Sequence, residues 1–243
     1  MTGLSVQLYS VRDGLDDDTP GTLARLYELG FRAVEPYDIL GDPALLARRL
    51  QDAGLSAPTA HASFLRFSLD EVLDAAERIG TATVILPSAP REAFVSRAGV
   101  RELADVVNSA AAVAARRGIG IGYHNHEFEF LARIGGVPAW EVFAGELDER
   151  VALELDLHWA SVGGVDVFDL TRRFAGRIRF LHVNDEELGV EDGFASNPHD
   201  GDSSDVVTAM GDAVELVVLE VVEDGDVFPS LERNAQVFQE VAR

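Results

Sequence analysis

Residues 120–130, Gly-Ile-Gly-Tyr-His-Asn-His-Glu-Phe-Glu-Phe, set His124 and His126 two positions apart on a segment that reads as a β-strand running into a loop. Side chains two apart on a strand share a face, so both imidazoles are expected to point the same way. The glycines before them keep the inner end of that face narrow. Imidazoles so placed can bind a divalent ion or move a proton near neutral pH. Polar residues also end the other β-branched runs: Gln7 and Tyr9 the first, Glu35 the second, His61 the third and Glu220 the last. Glu154, Asp156 and His158 are expected on one face at the end of the sixth, and His182 with Asn184 closes the seventh.

Taken singly, each has a structural explanation. A strand-end histidine is usually just hydrogen-bonded, Asp156 could form a turn, and Glu154 could be half of a buried ion pair. Together they read as a site, because five of the six histidines fall at these ends. His124, Asp156, His182 and Glu220 come from four different runs. Two carboxylates and two imidazoles suit a divalent ion that keeps positions open for water and substrate. The sixth histidine, His199, lies in Asn-Pro-His-Asp-Gly-Asp at residues 197–202, which reads as a solvated loop.

The elements that must position these residues alternate strand and helix eight times. Strands are expected at 4–9, 32–36, 55–61, 82–86, 119–126, 151–156, 177–184 and 215–222. The helices between them carry start and stop signals. Thr19-Pro20 offers an N-cap and an N1 proline, with Leu23, Leu26 and Tyr27 inward and Gly30 as stop. Asp42-Pro43 opens the next helix, Ser68 with Glu71 fits a capping box, and Asp166 caps a later one. A helix from about 100 to 117 is expected to bury Val106 with Leu103, Val107, Ala110 and Val113. Eight such units, without linker or composition break, predict an α/β fold: a (β/α)8 TIM barrel forming a single domain over residues 1–243. In such a barrel the strands' C-terminal ends form the active face.

Composition excludes several chemistries. The chain has no cysteine, so thiolate metal sites and cysteine nucleophiles are absent, and no lysine, so Schiff-base catalysis is absent. Any metal must be held by His, Asp, Glu and water, which suits Mn, Mg, Co or Zn. A net charge of −22 disfavours nucleic-acid phosphates. No apolar run is long enough for a membrane span and no leader pattern opens the chain, so a cytoplasmic protein is expected. The partner is expected to be a small-molecule carbohydrate rather than nucleic acid or membrane, with homo-oligomerisation left open.

Six segments, in barrel order, carry a family resemblance. They are Val-Gln-Leu-Tyr-Ser-Val-Arg at 6–12, Leu-Gly-Phe-Arg-Ala-Val-Glu at 29–35, residues 123–130, Glu-Leu-Asp-Leu-His-Trp-Ala at 154–160, Gly176-Arg177 leading to Leu-His-Val-Asn-Asp at 181–185, and Val-Leu-Glu at 218–220. At these residues the chain resembles the sugar phosphate isomerase/epimerase family, the xylose isomerase-like barrels. The resemblance implies a divalent ion held by a carboxylate from strand five, Asp from six, His from seven and Glu from eight. Asp156, His182 and Glu220 match, whereas His124 stands where many relatives have Glu, and Asn184 where relatives often carry Lys. The resemblance also places His126 and His158 beside the substrate and Glu35 at the mouth.

The expected function is therefore a metal-dependent isomerase or epimerase of a small keto sugar or polyol, working through an enediolate. Glu220, His126 or His158 would be the base, and Gln7, Glu35, His61, His126, His158 and Asn184 would bind substrate. A lyase or dehydratase acting on a keto-sugar or inosose is the alternative, since elimination needs no second carboxylate on the opposite face. A sugar-binding barrel without turnover is the second alternative. Phosphate recognition would rest on few strand-end arginines, Arg12 and Arg66.

Overall fold

A computed structural model describes residues 2–184, 203–222 and 225–241. Seven strands form one curled, all-parallel sheet: β1 (Gly3–Val6), β2 (Thr59–His61), β3 (Thr83–Leu86), β4 (Gly120–His124), β5 (Val151–Asp156), β6 (Ile178–Asn184) and β7 (Leu216–Glu220), in the order β1-β7-β6-β5-β4-β3-β2. The segment expected as the second strand, 32–36, lies between the two edges without forming a named strand. Single bridges Gln7 to Glu35 and Ala33 to Ser56 hold it. Its backbone bonds run to both sides, Glu35 N–H donating to the Val6 carbonyl at 2.8 Å and Val34 N–H to the Ser56 carbonyl at 2.9 Å. The fold is the expected mixed α/β barrel type.

Register explains why polar ends converge. His124 pairs with Glu154, Asp156 with His182 and Asn184 with Glu220. Beneath them Ala33, Ile85, Ala152, Phe180, Leu216 and Val218 form an apolar cluster separate from the outer core. Gly122 sits level with Ile85 and Ala152, and a Cβ there would collide with the Ile85 side chain. The narrow inner end read from the glycines is thus a packing constraint. Outside the sheet, an amphipathic ring of helices buries Leu23, Leu26, Leu73, Leu103 and Leu170.

Several helix signals resolve differently from expectation. α1 (Arg12–Glu28) starts before Thr19 and kinks at Asp18, whose carboxylate accepts from Gly21 N–H at 3.1 Å. Thr19 instead donates its hydroxyl to the Leu15 carbonyl, so Asp18 is the cap of the second segment. Asp42 does cap α2 (Pro43–Ala53), accepting from Leu45 N–H. Ser68 makes no side-chain cap bond to α3 (Leu69–Ile79), so the expected capping box does not form. In α4 (Arg97–Ala115) Val106 is exposed, as is Tyr27 in α1, because each lies at the solvent edge of its helix's apolar stripe. Among the described residues no helix is long and apolar enough to cross a membrane. His199 and the segment expected as a solvated loop around it lie outside the described residues.

Candidate functional site

The strand ends meet around a cavity of about 310 Å³ lined by Gln7, Tyr9, Tyr37, His61, Pro87, His124, His126, Trp159, His182 and Glu220. Among the described residues, the larger hollows elsewhere on the surface are lined by no histidine. Around the cavity the imidazoles crowd together: His124 and His182 ring centres are 4.7 Å apart, His61 and His124 5.0 Å, and His124 and His126 5.3 Å.

Three buried histidines and the buried carboxylates that face them organise the cavity floor. His182 Nδ1 lies 3.1 Å from Asp156 Oδ2 and 3.9 Å from Glu220 Oε2. His124 faces two carboxylates, with Nδ1 2.9 Å from Glu154 Oε1 and Nε2 3.8 Å from Asp156 Oδ2. His61 Nε2 sits between Glu35 Oε1 at 3.0 Å and Glu154 Oε1 at 2.8 Å, and Gln7 Nε2 donates to the same Glu35 oxygen at 2.9 Å. Glu154 therefore joins two layers, His61 and Glu35 below and His124 above.

Protonation follows from these contacts. Burial opposes charge on every group, and the partners decide which ones resist it. Burial depresses His124, reinforced by His182 and His61, so it is a neutral imidazole. Burial also works against His61 and His182, but carboxylates outweigh it. Glu35 and Glu154 push His61 well above the usual histidine range. Asp156 and Glu220 lift His182 to about 9. For Asp156 burial is overcome by His182 and His124, which hold it below the ordinary aspartate range. Glu220 is pushed up by burial.

Local structure aims these groups. Asp156 ends β5 and its Oδ1 accepts from Trp159 N–H at 2.7 Å, capping α5 (Leu157–Val162) and leaving Oδ2 toward His182. Asn125 clamps the same residue, its Oδ1 accepting from Asp156 N–H at 3.0 Å and its Nδ2 donating to the Asp156 carbonyl at 3.1 Å. β4 stops at His124, so His126 reaches the cavity wall by a different route from that expected. It precedes the short helix at Glu127–Leu131, and Glu129 Oε2 accepts its N–H at 2.7 Å. Tyr123 donates its hydroxyl to the other Glu129 oxygen at 2.7 Å.

The structure places several of these residues differently from their sequence periodicity. His158 does not share a strand face with Glu154 and Asp156, because β5 ends at Asp156 and His158 lies in α5. Its neighbour Trp159 lines the cavity instead. Glu35 is fully buried under the floor rather than at the mouth. Tyr9 and Tyr37, edge to face at 5.3 Å, form the rim. Gln7 follows directly on strand one and caps the 3-10 turn Leu8–Val11, its side-chain oxygen accepting from Tyr9 N–H at 3.3 Å. Asn184 ends β6; its side chain lies outside the described set.

The donors fit a divalent ion. His124, Asp156 and His182 each offer a ligand atom, all within 4.8 Å of one another. The remaining His182 nitrogen, Nε2, and the second oxygens of Glu35 and Glu154 are buried without a protein partner, and these three residues form a second such grouping. Glu220 stands further out than the inner three and opens onto the cavity.

Comparisons with known proteins agree with this architecture. Residues 23–214 match the family model described as xylose isomerase-like TIM barrel. A crystal structure of a sugar phosphate isomerase/epimerase from Parabacteroides distasonis superposes with a TM-score of 0.83 at 22% identity, covering 98% of this chain and 93% of that one. The probable 3-DHS dehydratase of petrobactin synthesis from Bacillus anthracis gives 0.70 at 13% identity, covering 98% and 99%. The IOLI protein, with a bound zinc atom, gives 0.66 at 15% identity, covering 99% and 96%. No protein of curated function matches by sequence.

Proposed function

The chain belongs to the xylose isomerase-like TIM barrel family, and from that premise we propose that it is a divalent-metal-dependent isomerase or epimerase of a small keto sugar or polyol, acting through an enediolate. The grouping of His124, Asp156 and His182 on the floor of an open cavity, with Glu220 beside them, carries this reading. A divalent ion held by the three would polarise the substrate carbonyl and acidify the adjacent C–H.

The chain's own residues supply the rest. Glu220 takes the α-proton: burial raises its pKa, which makes its carboxylate a stronger base. His126 stands on the wall with its Nδ1 unbonded, and burial keeps it neutral, so it can hydrogen-bond or relay a proton at the substrate's other face. Gln7 and His61 offer polar atoms to hydroxyls, while Tyr9, Tyr37 and Trp159 give flat surfaces for the C–H faces of a sugar. Among the described residues no arginine lines the cavity, and the Arg12 guanidinium is engaged over the Tyr9 ring at 4.4 Å. A neutral sugar fits this lining better than a phosphorylated one.

One observation favours a lyase as the second reading. Among the described residues Glu220 is the single carboxylate lining the cavity, and removal of a β-hydroxyl needs no opposing carboxylate.

Both readings begin with removal of a proton next to a carbonyl. Incubation of the metal-loaded protein with keto-sugars in D2O is expected to place deuterium at an α-carbon. The Glu220→Gln variant is expected to lose exchange while retaining metal. An epimer or ketose–aldose pair supports the first reading and a dehydrated product the second. No exchange across a broad panel refutes both.

A further inference from the structure

We propose that Glu154 is a positioning residue that fixes the His124 ring with its proton on Nδ1 and its bare Nε2 turned toward Asp156. The inference rests on reading the floor as a cation site and adds a residue that neither the cavity lining nor the three-residue set contains.

Glu154 is 1% exposed and does not reach the cavity, so substrate does not touch it. Its Oε1 is approached by two imidazole nitrogens, His61 Nε2 at 2.8 Å and His124 Nδ1 at 2.9 Å. A carboxylate oxygen only accepts, so both nitrogens must carry hydrogens. A neutral imidazole has one ring proton. With that proton committed to Glu154, Nε2 keeps its lone pair, and Nε2 is the nitrogen 3.8 Å from Asp156 Oδ2. The opposite tautomer would bury two lone-pair atoms against each other at Nδ1 and put a hydrogen where a cation must be bound.

Glu154 is itself held. His61 bridges it to Glu35, Gln7 holds Glu35, and the register sets Glu154 beside His124 on the adjacent strand. The carboxylate is thus fixed from beneath before any ligand arrives, and an imidazole backed in this way is a more basic and better aimed ligand. His124 and Glu154 act as a unit: the imidazole binds, and the carboxylate supplies negative charge and orientation from the next strand.

The test reads the ring directly and needs no turnover. Long-range 15N–1H spectra of the metal-free protein near neutral pH, with the His124→Gln variant as assignment control, are expected to show His124 protonated on Nδ1. The Glu154→Gln variant is expected to lose that single tautomer, because an amide can donate as well as accept. Metal affinity should then fall about 10–100-fold, as for other backing residues of ligating histidines, with the melting temperature as control for folding. His124 protonated on Nε2 in the unmodified protein overturns the proposal even if the variant does not fold. So does a Glu154→Gln protein that folds and binds metal as tightly as the parent. A chain that binds no divalent ion would sink the metal reading of the site, while the tautomer spectrum would still decide the role of Glu154.

Discussion

If His182 is a metal ligand, metal and proton must compete for it, and the competition sets a measurable pH dependence. Its Nδ1 is the nitrogen facing Asp156 and Glu220, and those carboxylates lift its pKa from the ordinary 6.5 to about 9. At pH 7 only about 1% of the metal-free protein then has an unprotonated His182, which weakens metal binding about 100-fold, or about 3 kcal/mol. Apparent affinity should rise about tenfold per pH unit between pH 7 and 9 and level off above. His124 and Asp156 are held below this range, so neither adds to the slope. The sign for stability follows from the same shift. A histidine whose pKa is raised by folding stabilises fully below its unfolded value and loses that contribution as pH passes the folded value. The metal-free protein should therefore lose on the order of 3 kcal/mol between about pH 6.5 and pH 9. Calorimetric titration with Mn or Zn in two buffers of different ionisation heat should find about one proton released per ion at pH 7 and none well above pH 9. Equal affinity at pH 7 and pH 9, with no proton release at pH 7, would refute the assignment of His182.

Two further substitutions test how the site is held. Asn125→Ala removes both bonds to the Asp156 backbone and leaves its buried N–H unpaired, while the carbonyl of this N-cap residue keeps the first bond of the following helix. It should cost about 1–3 kcal/mol in denaturant unfolding and weaken metal binding, although Asn125 is not among the grouped ligands; unchanged affinity would show that the cap at Trp159 alone holds Asp156. Gly122→Ala puts a methyl against the Ile85 side chain inside the barrel and should cost about 1–3 kcal/mol. A neutral melting temperature there would mean that the interior layer is looser than its packing indicates.

Most of the barrel was legible from local signals, because strand–helix alternation and glycine stops depend on near neighbours. The exceptions are places where a neighbour in space outvoted one in sequence. Residues 32–36 read as a strand, yet they are held between two edges by single bridges. Ser68 has the right spacing for a capping box, yet its side chain makes no cap bond. His158 kept strand periodicity on paper until the Asp156 side chain turned back to start a helix.

The sequence by itself determined which chemistry is available. With neither cysteine nor lysine in the chain, thiolate and Schiff-base chemistry are excluded, and the imidazoles and carboxylates at the ends of β runs mark the candidate site. Tertiary structure alone decided how those groups divide the work. Glu154 read as half of a buried ion pair, but only the register of two adjacent strands put its oxygen between His61 and His124. Glu35 read as a mouth residue and lies beneath the floor, while Trp159 and Tyr37 joined the cavity lining without a periodic signal. Residue type is local information, but proton position and charge state depend on distances of a few ångströms between strands tens of residues apart, and those exist only once the sheet has curled.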